Sequence, residues 1–444
     1  MKKKKLLHLQ LLPLLSGVQN FSLHLLDGIP QNEFEIYVAS KPGGDFVQAI
    51  KSKGYHYIPL PTFVHPISFL DLLTFFHLLW VFRKYRFDIV HTHASKPGLL
   101  GRAAAWICKV PLTIHTYHVT AFQDYQTPIV KSVFMFLDWL GASFGDVGVF
   151  VNNSARDYCI KHRIVRKENT YTVYNAIPDG VRERLDAIAQ QRFKYNSVGD
   201  LYSEVTETYQ NSSLTSNKVG IIGKTKPFIT FGSTFRFSAQ KNVLQIVESA
   251  CKVCKKIPNI KFIFVGDGDD YERCRAIVNH QQLITRVILP GWDNDILPYL
   301  REFDVFIMFS NWEAQPFSVI EAMQSGLPVL ISDIPALREL VEESCGFIVE
   351  KGNATQFQKT IAYISQNPDI LAPLGFTAHK RINELCSYNT MLSSYLELYR
   401  TGSVTSTAQG KNSFQPPTIH DSSGREAGAE SSDETLNIIK QALT

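Results

Sequence analysis

Several enzyme signatures are missing from this sequence. No G-x-G-x-x-G follows a strand pattern, which weakens a dehydrogenase reading, and no G-x-x-x-x-G-K-[ST] phosphate loop occurs. No G-x-S-x-G elbow joins a strand to a following helix, so an α/β-hydrolase nucleophile is not marked. Cysteine is scarce. Seven in 444 residues, an odd number, argue against a disulfide framework and for a reducing compartment. Neither charge sign dominates, and a net charge of +4 excludes a strongly basic nucleic-acid binder. No apolar run reaches the ~20 residues that a membrane-spanning helix needs. The longest, Ile67 to Phe82, is broken by Asp71 and His77 and ends in Arg83-Lys84-Tyr85-Arg86. It reads as a core helix with a basic last turn that suits the helix dipole, an interfacial placement being the second reading.

The composition that is present suits large cores: 45% hydrophobic and 12% aromatic, in a chain long enough for about two or three domains. The basic start Met1 to Lys5 before Leu6 to Leu15 imitates a signal peptide, but His8, Gln10 and Pro13 interrupt the run and no A-x-A-like site follows. It reads instead as a buried strand, Lys5 to Leu12, opening through a Gly-containing turn into a helix near Phe21. From there strand runs (35–39, 55–59, 88–92, 112–115, 147–151) alternate with helical patterns (45–53, 67–83, 98–108). The alternation restarts with strands at 228–232, 261–265, 287–289, 305–308, 329–332 and 347–349 and helices at 242–256 and 271–281.

This predicts α/β architecture in two doubly wound parallel-sheet domains, 1–178 and 227–385, facing a central cleft. Residues 179–226 read as linker with an inserted loop near 195–222. Residues 386–400 carry a helical pattern, and 401–444 read as a dispensable disordered tail with a short helix at 433–443. Residues 1–180 hold nineteen Lys and Arg against twelve Asp and Glu, and ten of the thirteen His, so the first domain is the one suited to an anionic surface.

Ligands of open α/β sheets bind at the carboxyl ends of strands, which directs attention to three strand-end constellations. Gly232-Ser233-Thr234-Phe235-Arg236 with Gln240-Lys241-Asn242 places two cations at a helix start, a diphosphate site in which Gly232 lets the backbone turn. Glu313 and Glu321 lie in the string 311–328, Glu313 on a loop and Glu321 about one turn inside a helix that starts near Phe317. The N–H groups of Phe317, Ser318 and Val319 would meet phosphate oxygens, and a helical carboxylate can chelate the two hydroxyls of a ribose. His91-Thr92-His93 and His115-Thr116-Tyr117-His118 lie at strand ends in the basic half, with His118 singled out. The H-x-H pair invites a metal, but no third and fourth ligand falls at zinc spacing. Asp267-Gly268-Asp269-Asp270, Asp293-Asn294-Asp295 and Cys251-Lys252-Val253-Cys254 imitate metal motifs and read as a tight turn, a loop and a structural pair.

These motifs resemble the family 4 retaining glycosyltransferases of the GT-B fold. Glu313 to Pro328 follows E-x-x-P-x-x-x-x-E-A-M-x-x-G-x-P, and Gly232 to Asn242 follows G-x-x-x-R-x-x-x-Q-K-N. Phe264-Val265-Gly266-Asp267-Gly268, Tyr174-Asn175-Ala176-Ile177 and Asp88 to Arg102 match as well. The resemblance implies transfer of a hexose from a nucleotide sugar, a UDP-sugar before a GDP-sugar, to a glycan or lipid-pyrophosphate-linked acceptor with retention, as in surface-polysaccharide assembly. It implies that Arg236 and Lys241 hold the diphosphate, Glu321 the ribose and Glu313 the sugar, with His118 beside the sugar and 386–400 crossing back to the first domain. It implies no metal and no cofactor beyond the nucleotide-sugar substrate, and a cytoplasmic enzyme, peripheral on the inner membrane face. The first turn departs from the family's Gly-Gly: here it is Ser16-Gly17, so the contact of Gly17 with the donor is open. Two alternatives are a nucleotide-sugar epimerase of the same fold, which would need no acceptor, and a non-catalytic glycan- or nucleotide-binding protein.

Overall fold

Thirteen strands form two wholly parallel sheets in the described residues. The structure, a computed structural model, describes residues 2–64, 68–123, 125–193 and 228–404. The inserted loop at 195–222 and the expected tail from 405 onward, with its helix at 433–443, lie outside them. The first sheet runs in the order β3-β2-β1-β4-β5-β6-β7, from β1 (Lys4–Leu9), β2 (Phe34–Ser40), β3 (His56–Pro59), β4 (Ile89–His93), β5 (Leu112–Tyr117), β6 (Val147–Phe150) and β7 (Thr170–Thr172). The second runs β10-β9-β8-β11-β12-β13, from β8 (Ile229–Thr234), β9 (Ile260–Val265), β10 (Val287–Gly291), β11 (Val305–Met308), β12 (Val329–Ser332) and β13 (Gly346–Val349). Each sheet winds outward in both directions from an inner pair, β1 with β4 and β8 with β11. At these pairs the loops diverge and leave room for a ligand.

Two compact units divide the chain. The first holds residues up to Pro178, Ala314–Phe317 and the stretch from Cys386; the second holds the described residues of Asp179–Glu313 and Ser318–Leu385. The parallel strands are buried on both faces, hence their unbroken apolar runs. In the second unit the core is aromatic: Phe231, Phe262 and Phe264 stack beneath Phe235 and Phe237, and all five are buried. In the first unit the last described helix, Tyr388–Thr401, packs on the sheet through Met391, Tyr395, Leu398 and Tyr399, while Lys4 Nζ donates to the carbonyls of Tyr399 and Arg400 at 3.2 Å. Among the described residues no helix is long and apolar enough to cross a membrane.

The polar stretch read as linker begins as a helix, Asp179–Phe193. Its three buried side chains, Leu185, Ile188 and Ala189, are apolar and fall at i, i+3 and i+4 in the second unit. Gly232 also differs from expectation. It lies inside β8, buried, and a Cβ there would come within 2.2 Å of the Phe303 ring, so this glycine makes room for an aromatic side chain rather than for a turn.

The backbone freedom is needed instead at Gly266 and Gly268, with φ of +141° and +153°. A Cβ at either would strike the Phe235 or Phe237 carbonyl oxygen, at 1.8 and 2.5 Å. That close approach lets Phe237 N donate to Asp267 O at 2.9 Å and Asp270 N to Phe237 O at 3.0 Å. The acidic run 267–270 is therefore a turn that braces the loop after β8. The spacing Gly141-Ala142-Ser143-Phe144-Gly145 imitates a nucleophile elbow but ends helix Pro128–Ser143, where Ser143 Oγ donates to the Trp139 carbonyl.

Candidate active site

The second unit brings Lys241 and Glu313 together at the β8/β11 switch point. Lys241 closes the short 3₁₀ turn Ala239–Lys241 in the loop after β8, and Glu313 lies in the loop after β11. The two loops are stitched. Asn311 N donates to Gln240 O at 2.8 Å, Asn311 Nδ2 to Ala239 O at 2.7 Å, and Gln240 Nε2 to Trp312 O at 3.1 Å. On this frame Lys241 Nζ forms an ion pair with Glu313 Oε1, the side chains being 14% and 5% exposed. So little solvent leaves the pair poorly screened, and removing one member strands the other. Arg236 is exposed on the same loop, its Cγ against Gly268.

The loop after β11 leads into helix Phe317–Gln324. Its first N–H groups, those of Phe317, Ser318 and Val319, have no partner within the helix and form the positive end of its dipole. Phe317 and Ser318 are half-buried and Val319 is buried. Glu321 follows one turn later. Its carboxylate meets no cation or hydrogen-bond donor among the described residues, and burial pushes its pKa up to about 7. An unpaired acid held near neutrality can accept hydrogen bonds from hydroxyls once ionised.

In the first unit Gly17 opens helix Gly17–Asp27 behind Ser16, and a side chain at Gly17 would meet no protein atom within 4 Å. His118 lies one residue past β5 and heads a buried hydrogen-bond chain. The β1–β4 register sets His8 beside His91, and the two-residue period of β4 puts His93 on the same face as His91. His118 Nε2 meets His93 Nδ1, and His93 Nε2 meets His8 Nδ1, both at 3.1 Å. His8 Nε2 and His91 Nδ1 share the Tyr399 hydroxyl at 3.1 and 2.7 Å. His91 Nε2 meets Thr116 Oγ1 at 2.7 Å, and Thr116 Oγ1 meets the Tyr395 hydroxyl at 3.0 Å.

The ring nitrogens of His8, His91 and His93 lie close enough together to ligate a metal. Yet all six are already hydrogen-bonded, so the cluster is complete as a proton-ordered chain. Each neutral imidazole donates once and accepts once. If Tyr395 donates first, every donor finds an acceptor, and His118 is left accepting at Nε2 and carrying its proton on Nδ1. In the opposite order the Tyr395 hydroxyl proton has no acceptor among the described residues. The chain thus sets the tautomer of His118.

Burial lowers the pKa of His8 and of His118 to about 3 and holds His91 and His93 well below the usual value of 6.5. Below pH 6.5 the unfolded chain takes up protons that the folded chain refuses. The stability from this cluster is therefore full above about 6.5 and is lost as pH falls toward about 3. Tyr399→Phe leaves two buried ring nitrogens unpaired and should lower stability by about 2 kcal/mol or more. Urea unfolding at pH 7.5 measures this; an unchanged midpoint would refute the chain.

The remaining metal imitations resolve into local structure. Asp293 accepts from Asp295 N and from the Tyr299 hydroxyl, both at 3.0 Å, and Asp295 accepts from Leu297 N at 3.2 Å, which together shape the start of helix Leu297–Glu302. Cys251 and Cys254 are buried in helix Val243–Lys256, and burial raises their thiols to about 11 and about 12. They are inert core residues. The roles of His8, Tyr395 and Tyr399 went unread in the sequence because the partners lie up to 391 residues apart.

Residues 15–180 match the family described as Glycosyltransferase Family 4, and residues 216–381 match Glycosyl transferases group 1. The chain is 31% identical over 399 residues to the UDP-Gal:alpha-D-GlcNAc-diphosphoundecaprenol alpha-1,3-galactosyltransferase of Escherichia coli, covering 86% of this chain and 96% of that protein. It is 25% identical over 384 residues to the alpha-monoglucosyldiacylglycerol synthase of Acholeplasma laidlawii, covering 83% of this chain and 89% of that protein. Among solved structures, Anabaena HepE in complex with UDP and glucose superposes with a TM-score of 0.68 at 16% identity, over 90% of this chain and all of that one. The chain belongs to the family 4 glycosyltransferases of the GT-B fold.

Proposed function

We propose that this glycosyltransferase moves a hexose from a UDP-sugar to a lipid-pyrophosphate-linked glycan, with retention and without a metal ion, at the inner face of the cell membrane. The observation that carries the reading is the Lys241–Glu313 pair, held by stitched loops at the switch point of the second sheet. The Escherichia coli relative, whose name specifies a UDP-sugar donor and a diphosphoundecaprenol acceptor, supports the substrate class.

In this reading Arg236, Lys241 and the N–H groups of Phe317, Ser318 and Val319 bind the diphosphate. Glu321 accepts the ribose hydroxyls, Gly17 lets the backbone approach the donor, and Glu313 and the Nδ1–H of His118 hold sugar hydroxyls. The bond from the anomeric carbon to the diphosphate oxygen breaks as the bond to the acceptor hydroxyl forms on the same face, and the hydroxyl proton passes to the departing phosphate oxygen. Cations and a helix dipole already in place stabilise that oxygen without reorganising.

Calorimetric titration of UDP in excess EDTA tests the reading. Wild-type enzyme should bind, and Lys241→Ala should bind at least tenfold more weakly, because a charge-assisted contact contributes about 1.5–3 kcal/mol. Binding that requires a divalent ion, or that ignores the substitution, would refute it.

A further inference from the structure

The helices on one side of the first sheet carry apolar surface that the fold does not use. Helix Leu70–Tyr85 buries Thr74, Leu78, Leu79, Val81 and Phe82. Phe69, Leu72, Leu73, Phe76 and Trp80 are each more than half exposed. At 100° per residue these five fall in a single stripe roughly 100° wide, and the exposed Arg83 and Lys84 prolong it. The core-helix expectation therefore holds for one face only. Helix Pro128–Ser143 presents a second stripe, Ile129, Val133, Phe136 and Trp139.

Helix Ser95–Ile107 runs between the two and packs on both. Its end joins them: Cys108 Sγ lies 3.7 Å from the Leu79 carbonyl, and the Trp106 and Phe144 rings are 5.5 Å apart. Crossover helices of a parallel sheet run in one direction, so Trp80, Trp106 and Trp139 come to the same end. They are 55%, 62% and 46% exposed. Soluble monomers rarely leave a contiguous apolar face of this extent.

Charge selects what covers it. The only acids on the three helices are Asp71 and Asp138. Asp71 pairs with Lys96 at 2.5 Å, and Asp138 is buried. Four exposed cations, Arg83, Lys84, Arg86 and Lys109, gather at the tryptophan end against one exposed acid, Asp146, whose Oδ2 accepts from Thr113 N at 2.7 Å, and Lys84 Nζ lies 4.6 Å from the Trp80 ring centre. Aromatic side chains bordered by cations that outnumber the one nearby acid match the headgroup layer of an anionic bilayer, where tryptophan and lysine settle.

We propose that this face docks the enzyme on an anionic phospholipid surface, the two outer helices lying along the interface. The inference goes beyond the proposed reaction and needs neither its donor nor its acceptor. Flotation of the full chain tests it, with vesicles of phosphatidylglycerol and phosphatidylethanolamine beside vesicles of phosphatidylcholine alone. Wild-type enzyme should float at least tenfold more with the anionic vesicles. Trp80→Ser, Trp106→Ser and Trp139→Ser combined should abolish flotation.

A second variant, Arg83→Ser with Lys84→Ser and Lys109→Ser, alters only exposed side chains and guards against misfolding of the first. Each charge removed should lower partitioning roughly fivefold. UDP affinity should stay that of wild type in both, which separates a failed docking face from a failed donor site. Wild-type enzyme that does not float would overturn the proposal. So would variants that float unchanged, or a wild-type dimer that the tryptophan substitutions convert to monomer, since a second copy would then be the cover.

Discussion

Glu313→Gln should lower kcat by two to three orders of magnitude while leaving UDP affinity within about threefold of wild type. The glutamate belongs to a nearly buried pair with Lys241, and it is the member assigned to the sugar rather than to the diphosphate. Positive charge develops on the sugar ring only as the bond to the diphosphate breaks, so an interaction with that charge appears in kcat and not in product binding. Loss of one preorganised electrostatic partner typically costs 10²–10³ in kcat. Lys241→Ala behaves differently. It strands a carboxylate that is 5% exposed, so it should lose stability as well as UDP affinity, by about 3 kcal/mol. The double variant should recover part of that stability, since a neutral amide in place of the carboxylate needs no cation. Thermal melts of the four proteins measure the coupling. Additive losses would show that the pair is not a unit, and a Glu313→Gln enzyme with normal kcat would remove the carboxylate from the reaction.

What was legible in the sequence follows the range over which each feature acts. The parallel sheets announce themselves because strands buried on both faces are continuous apolar runs, as in Val305–Met308 and Val329–Ser332. Helix Asp179–Phe193 escaped because only three of its side chains are buried, too few to stand out from a polar background. The E-x7-E string singled out two carboxylates, yet nothing in it says that Glu313 pairs with a lysine 72 residues away or that Glu321 is left unpaired. Both facts arise where separate strand-end loops meet. Gly232 shows the same limit: its partner Phe303 lies far along the chain, so a packing glycine reads as a turn glycine. The H-x-H pair suggested a metal for want of His8 and Tyr399, which complete a hydrogen-bond chain only once β1, β4 and the last helix are assembled.

Glu321 should make the ligand-free enzyme less stable as pH rises, the reverse of the histidine cluster. Its ordinary pKa is 4.5, and burial raises it to about 7 in the folded chain. Between those values the folded carboxyl keeps a proton that the unfolded one releases. Folding is therefore penalised progressively from about pH 4.5 to about pH 7, and fully above that. Every tenfold difference in proton affinity between the folded and unfolded chain corresponds to about 1.4 kcal/mol, and residual solvent contact reduces the total to about 2 kcal/mol. Glu321→Gln removes the penalty. Compared with wild type at pH 8, it should melt roughly 5 °C higher without ligand. Taking the difference between the two proteins at each pH cancels the histidine slope, which both share. The cost should fall on binding. An ionised carboxylate accepting two ribose hydroxyls contributes about 1.5–3 kcal/mol per bond, so the variant should bind UDP at least tenfold more weakly. Wild-type affinity should rise between pH 6 and 8 as the carboxyl ionises, and the variant's should not. A destabilised variant, or one whose UDP affinity and pH dependence match wild type, would mean that this acid is a structural helix residue and that the ribose is held elsewhere.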